Sequence, residues 1–345
     1  MTRFLAPDAV GPLSDEEWLK LLERSLTDRD VDGIEYPTFP DDQTQANFVG
    51  HAREAALLEA VRFLRYTLDA LSAIGGPAPA ECEVVDFGSG WGRITRALLR
   101  DFRPEHVIGV DPLDSMVAAC RDWFAGSPVS FETVDNWPPL PQANASVDLI
   151  VAYSVFSHLP ERLATAWIAE FARVLKPGGI VVATTQSRSF IDLCEQIRTD
   201  DSVGNPDFLW HQLLARSFVD AADAYRRFDA GEFLHEANGG GDSLEESLYG
   251  DSLFSGEYVT ERWGHLLAPA RFEDKPYDLP QAVFVLQKPT AGGAIAAGAW
   301  RADEVRVDAL EQELRELRSS ETWRIGQAAL APVRLARRVK DRLAR

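Results

Sequence analysis

Positive charge is scarce in this chain. Its 345 residues hold 35 Lys and Arg against 54 Asp and Glu, a net charge of −19. Such an excess repels phosphate backbones and excludes a general nucleic-acid partner. Cysteine is scarcer still. Cys82, Cys120 and Cys194 stand far apart, odd in number and with no CxxC pair, which fits reduced thiols in a cytoplasm and excludes a zinc cluster. No apolar run approaches the roughly 18 to 20 residues a spanning helix needs, which excludes an integral membrane protein. Residues 1–10 carry one Arg and no apolar stretch, so no secretory leader is expected and the expected location is cytoplasmic.

What is present is the ordinary composition of a chain that buries a core, 46% hydrophobic and 26% charged. The length suits one large α/β domain with additions. Charge divides the chain unevenly. Residues 301–345 hold 11 Lys and Arg against 8 Asp and Glu, a net of +3, which leaves −22 on residues 1–300. A run of small residues at 290–299 reads as a linker, bounded at 290–300. Four parts are therefore expected: a helical region or lid at 1–80, a domain at 81–289 with an insertion at 188–260 capping the sheet edge, the linker, and a helical tail at 301–345.

The front shows helix punctuation. Ser14 stands three residues before Glu17, the spacing of a capping box ahead of Trp18 and Leu22. Tyr36-Pro-Thr-Phe-Pro40 must be extended, because residues before proline avoid the helical region. A long helix is expected over 45–71, ended by Gly75-Gly76-Pro77. From Glu83 the rhythm changes. Short apolar runs at 84–85, 107–110, 147–152 and 179–183 read as buried strands, with helices at 93–100, 113–124 and 161–175 between them. This alternation means βαβ units and a doubly wound parallel sheet. Two last strands are expected at 265–272 and 281–287.

Val84-Val-Asp-Phe-Gly-Ser-Gly-Trp-Gly-Arg93 ends a strand in a glycine-rich turn and opens a helix. In a doubly wound sheet such a turn receives a nucleotide-like ligand, because glycines admit it to the backbone and the helix start offers free N–H groups. Asp111 ends the next strand, where a carboxylate can accept both ribose hydroxyls.

With these motifs, residues from about 80 to 186 resemble a class I S-adenosylmethionine-dependent methyltransferase. Asp86-Phe-Gly-Ser-Gly-Trp-Gly92 is similar to the family's first motif and Val110-Asp-Pro112 to its second. Asp148-Leu-Ile-Val-Ala-Tyr-Ser-Val-Phe-Ser-His-Leu159 resembles the strand-four motif, and Leu175-Lys-Pro-Gly-Gly179 the turn before strand five. The resemblance implies a Rossmann-like seven-stranded sheet whose last strand, 281–287, is antiparallel. It implies S-adenosyl-L-methionine as cofactor, with Gly88, Ser89 and Gly90 on its methionine portion and Asp86 near its amino group. Asp111 would hold the ribose, while Pro112 and Met116 would line the adenine slot. Asp135 and Asn136 compete for the adenine amine, with Asp135 favoured and Trp137 as a stacking neighbour. Tyr153, in the strand-four motif, joins the cofactor set.

A hydroxyl acceptor needs a general base, and six histidines offer few candidates. His158 ends the strand-four motif, beside the expected position of the transferred methyl. His211 and His235 lie in the insertion. His51, Tyr36 and Phe48 could belong to a lid. No metal-ligand constellation stands out, although Asp251 and neighbouring acids keep a magnesium-assisted variant open. In the tail, Val307, Leu310, Leu314 and Leu317 make roughly two heptads. Residues 322–345 follow with seven Lys or Arg and one Asp, a basic amphipathic segment suited to an anionic membrane surface or a homo-oligomer contact. This tail resembles those on enzymes of bacterial surface-polysaccharide assembly. The expected function is O-methylation of a sugar or glycan hydroxyl in polysaccharide biosynthesis. The alternatives are methylation of a small secondary metabolite, or a non-catalytic scaffold that kept the fold.

Overall fold

The structure is a computed structural model and describes residues 3–200, 203, 209–238 and 246–290. The linker from 291 onward and the tail at 301–345 lie outside the described residues. None of the described helices is long and apolar enough to cross a membrane.

Seven strands form one sheet: β1 (Val84–Phe87), β2 (Val107–Asp111), β3 (Ser130–Thr133), β4 (Val147–Ala152), β5 (Leu175–Gln186), β6 (Ala268–Glu273) and β7 (Gln281–Gln287). Their spatial order is β3-β2-β1-β4-β5-β7-β6. Strands β1 to β5 pair in parallel, and β7 runs antiparallel to both β5 and β6. The last strand is therefore antiparallel, as expected. The strand order reverses between β1 and β4, and in such sheets ligands collect at the carboxyl ends beside that switch. All four residues of β1 are buried, because helices cover both faces of the sheet.

On one face lie α1 (Asp15–Ser25) and α3 (Arg53–Ala73), whose Trp18, Leu22, Phe63 and Leu64 share a core with Val84, Leu149 and Val182 of the sheet. The region 1–80 thus packs into the domain's own core. On the other face α6 (Glu161–Val174) sets Trp167 and Phe171 against Phe87, Phe156 and Phe284. The Ser14–Glu17 capping box forms at the start of α1, with Glu17 N–H on Ser14 Oγ and Ser14 N–H on the Glu17 carboxylate.

Three expectations need correction. The single helix over 45–71 is broken into α2 (Asp42–Val49) and α3, because Gly50 takes φ 79° and caps α2 by donating its N–H to Ala46 O. The Lys-Pro-Gly-Gly stretch lies inside β5 as an irregularity, since Leu175 already pairs with Val147 before the register resumes at Leu149 and Ile180. The insertion does more than cap an edge. It contributes α7 (Phe190–Thr199), α8 (Leu209–Leu214), α9 (Ala221–Asp229) and a two-stranded ribbon of Leu234–Glu236 with Asp251–Leu253. That ribbon docks at the carboxyl ends of β4 and β5: Ser252 N–H donates to Ser157 O (2.8 Å), and Thr185 Oγ1 donates to Ser252 O (3.3 Å).

A buried cation holds the front of the chain to α4 (Arg93–Leu98). Arg96 is fully buried, and its guanidinium lies 4.1 Å from the ring centre of Phe39, 4.9 Å from Phe124 and 5.2 Å from Trp91. It donates to Thr38 O (2.7 Å) in the extended segment and more distantly to Gly92 O (3.4 Å). Burial lowers its proton affinity. Volume and cation–π contact both act here, and substitution separates them. Arg96→Met, which refills the cage, should cost less than about 1.5 kcal/mol. Arg96→Ala, which leaves a cavity, should cost about 2 to 5 kcal/mol in urea denaturation. Equal losses would show that charge, and not volume, holds the segment.

Candidate active site

The glycine turn is built from backbone. β1 ends at Phe87, and Gly88 and Ser89 both donate N–H to Val110 O, at 2.8 and 3.0 Å. Gly88 has φ 73°, and a side chain there would meet Val155 Cγ2 at 2.4 Å. Gly90 has φ 49° and donates its N–H to Asp111 Oδ2 at 2.8 Å, while Leu113 N–H goes to Asp111 Oδ1 at 3.0 Å. Asp111 is 5% exposed, and burial raises its pKa against those two backbone donors. Asp86 lies deeper, bonded by the Thr95 hydroxyl and pushed up to about 6 by burial. One buried hydroxyl in this turn, Ser89 Oγ, lacks a hydrogen-bond partner, while Tyr153 OH interacts with Glu59 and Arg93. A free hydroxyl, a glycine backbone without side chains and a strand-end carboxylate suit a ligand carrying amino, carboxylate and ribose groups.

The other expected cofactor residues surround this turn unequally. Pro112 and Met116, at the entry to α5 (Asp114–Trp123), are half-buried. Asp135 is exposed, accepts Trp137 N–H (3.2 Å) and lines an open groove of about 530 Å³ with Arg121, Glu132 and Leu140. Asn136 gives its backbone carbonyl to Trp167 Nε1 (3.0 Å). One face of Trp137 is taken by the Arg162 guanidinium, 4.7 Å from the ring centre. Tyr153 packs toward the N-terminal helices, edge-on to Phe63 (4.9 Å) and beneath Arg93 (4.7 Å), which itself pairs with Glu59 (2.7 Å).

Of the lid candidates, Phe48 lies over the turn, its ring 3.2 Å from where a Gly90 side chain would begin. His51 faces Glu59 at 3.4 Å. Tyr36 is corrected: it is buried in the core beside Trp18, 6.3 Å between ring centres, because its neighbours Trp18 and Val31 close around it.

The insertion grips His158. Its Nδ1 donates to Gly250 O (2.8 Å), its ring stacks on Tyr249 (4.5 Å, 9° between planes), and Asp251 Oδ1 stands 4.0 Å from Nδ1. In return Gly250 N–H donates to His158 O (3.0 Å). The neutral ring therefore carries its lone pair on Nε2, 3.5 Å from Ser154 Oγ. Burial lowers the His158 pKa to about 4. His235 donates from Nδ1 to Ser252 Oγ (2.7 Å), since that hydroxyl already donates to Leu159 O, and its Nε2 is buried without a hydrogen-bond partner. Burial and the nearby His158 lower its pKa. His211 lies on α8, half-buried, with its ring 5.6 Å from that of Trp210.

Asp251 is buried and bonded to Asn238 and Ser217, and burial pushes it up to about 6. Among the described residues no group of three or more His, Cys, Asp or Glu is arranged to hold a metal. Sequence reasoning missed Ser154, Tyr249, Gly250 and Gln281. Ser154 stood inside a quoted motif; for the others, 91 to 127 residues from their partners in the site, no local signal exists.

These shifts have opposite signs in stability. His158 sits near 4 in the folded protein against about 6.5 free, so the unfolded chain takes the proton first and stability is lost as pH falls between those values. Asp86 and Asp251, raised to about 6, take the proton first in the folded state and add stability as pH falls toward 3.8. The variant His158→Gln should therefore lose less stability than the parent between about pH 6.5 and pH 4. Denaturant titrations at a series of pH values would measure the two slopes, and equal slopes would refute the buried neutral imidazole.

Residues 84–179 match the family model described as a methyltransferase domain. The chain is 32% identical over 120 residues to dimethylglycine N-methyltransferase of Parasynechococcus marenigrum, covering 34% of this chain and 42% of that protein. It is 34% identical over 110 residues to malonyl-[acyl-carrier protein] O-methyltransferase of Methylococcus capsulatus, covering 32% and 38%. It thus spans about two fifths of the length of the curated relatives it matches. Among solved structures, the 1,6-didemethyltoxoflavin-N1-methyltransferase of Burkholderia thailandensis superposes with a TM-score of 0.42 at 15% identity, over 81% of this chain and 92% of that one. The segment 84–179, with its glycine turn and strand-end aspartate, thus matches a methyltransferase domain.

Proposed function

We propose that the protein transfers a methyl group from S-adenosylmethionine to a hydroxyl of a small acceptor, with His158 as the general base. The observation that carries the reading is the Gly90–Asp111 hydrogen bond in the matched domain, with the unpartnered Ser89 hydroxyl beside it. Gly88, Ser89 and Gly90 would hold the methionine portion and Asp111 the ribose. Pro112 and Met116 would flank the adenine, with Asp135 or Asn136 at its amine. When bound, the cofactor supplies a methyl group already activated by a sulfonium. The chain's own residues must then align the acceptor, an effect worth about 7 to 11 kcal/mol, and remove its proton. His158 is placed for the second task by geometry, since its Nε2 lone pair faces Ser154 Oγ (3.5 Å) just beyond β4, while burial lowers its pKa to about 4 and so weakens it as a base.

A sugar or glycan hydroxyl in polysaccharide assembly is the finer form of this reading, and its support is the sequence of the basic tail at 301–345, which would sit on an anionic membrane surface. A small-metabolite acceptor is the second reading. It is supported by the relatives reported above, dimethylglycine N-methyltransferase and malonyl-[acyl-carrier protein] O-methyltransferase, neither of which is named for a sugar acceptor.

Two measurements test the proposal. Calorimetry should show S-adenosylhomocysteine binding, weakened in Asp111→Ala by about 1.5 to 3 kcal/mol, the worth of a charge-assisted hydrogen bond. Unchanged affinity would refute the ribose assignment. With an acceptor in hand, His158→Gln should lower turnover about 10²-fold or more at unchanged cofactor affinity. The parent's rate should rise with pH through about 4, where His158 loses its proton. Full turnover in the variant would move the base to His235 or His211, or remove the need for one.

A further inference from the structure

Ser154, Thr184 and Gln281, from near the ends of three strands, close a hydrogen-bonded ring. The Ser154 backbone N–H donates to Thr184 Oγ1 on β5 (2.8 Å), Thr184 donates to Gln281 Oε1 at the start of β7 (2.6 Å), and Gln281 Nε2 donates back to Ser154 Oγ (2.9 Å). The three bonds are mutually consistent: an amide N–H can only donate, so Thr184 accepts it, and with Thr184 donating onward the Gln281 oxygen faces Thr184 and its nitrogen faces Ser154. The ring holds Ser154 at φ 59°, a conformation that non-glycine residues adopt rarely and that clusters at functional sites.

Because Ser154 Oγ already accepts from Gln281, its own proton has two acceptors within reach, Ser157 Oγ at 3.4 Å and His158 Nε2 at 3.5 Å. Both are long for an O–H donor. Around His158 stand Asp251 at 4.0 Å from Nδ1, the stacked Tyr249, and His235 on the facing strand of the ribbon. Nδ1 is committed to Gly250 O, so the bare lone pair is on Nε2.

We propose that Ser154 Oγ–H and His158 Nε2 together form the acceptor subsite, a donor beside a lone pair, and that it takes a hydroxyl. This rests on the methyl-transfer reading above. A hydroxyl satisfies both partners, donating to Nε2 and accepting from Ser154. A carboxylate has no proton for Nε2, and an ammonium has no lone pair for Ser154. In the transfer the acceptor oxygen gains a bond to the methyl carbon and gives its proton to Nε2, while the carbon–sulfur bond breaks with its electron pair passing to sulfur. Thr184 and Gln281 are positioning residues, because they act only by orienting Ser154.

The test uses the full chain with ¹⁵N-labelled histidine, His158 being identified by the signals lost in His158→Gln. Between pH 5 and 8, His158 should be a single Nδ1–H tautomer. Ser154→Gly, which also relieves the left-handed backbone, and Gln281→Met should each move the Nε2 resonance while leaving S-adenosylhomocysteine affinity within about twofold. An Nε2–H tautomer in the parent, or an Nε2 resonance unmoved by both substitutions, would overturn the subsite. A second arm follows label from S-adenosylmethionine onto methyl glucoside, malonate and ethylamine. Transfer to the glucoside ahead of the other two supports the proposal, and transfer to malonate or ethylamine first overturns it. Failure of S-adenosylhomocysteine to bind would sink the methyl-transfer reading instead, and the tautomer result would still judge the subsite by itself.

Discussion

The carboxyl ends of β1 and β2 are laced together by one residue pair, and the rest of the candidate site is positioned from that lacing. Val110 O takes the N–H groups of Gly88 and Ser89, and the Asp111 carboxylate takes those of Gly90 and Leu113. Four backbone donors that would otherwise be stranded in a buried turn are thereby satisfied. The turn is rigid before any ligand arrives, and a preformed site loses less freedom on binding. The same lacing explains why Gly88 cannot carry a side chain: the turn is drawn against Val155, which follows β4.

Around this turn the molecule sets two different environments. On one side the N-terminal helices bring charge into the interior: Arg93 with Glu59 across α4 and α3, and Arg96 among three aromatic rings. On the other side the insertion brings His235 and Asp251 against His158 and buries all three. His158 and His235 are lowered by burial, and Asp251 is raised by it. Burial pushes bases and acids toward each other, and each shift favours the uncharged form. The result at the end of β4 is a site whose polarity comes from directed hydrogen bonds and not from net charge. Such a site recognises by donor and acceptor pattern, which is more selective than attraction to a sign of charge.

The fold was legible in the sequence because its determinants are local. Short apolar runs of two to six residues alternating with amphipathic stretches specify βαβ units. A glycine triplet after the first run and an aspartate ending the second mark the ligand turn wherever such a sheet forms. The places where expectation failed are also instructive. The break at Gly50 was hidden because apolar spacing continues on both sides of it, and a single capping glycine outweighs the periodicity. Tyr36 reads as a surface aromatic before a proline, yet the chain folds it under Trp18.

By itself the sequence determined the sheet, the glycine turn, Asp111 and the presence of histidine at the end of the fourth strand, since each is set by neighbours within a few residues. Only the tertiary structure decided what that histidine is. Its tautomer is set by Gly250, 92 residues away, its low proton affinity by burial under the insertion, and its partner Ser154 by Gln281, 127 residues away on the antiparallel strand. Protonation state and hydrogen-bond direction depend on what surrounds a side chain in space. The sequence names the side chain, and only folding supplies its surroundings.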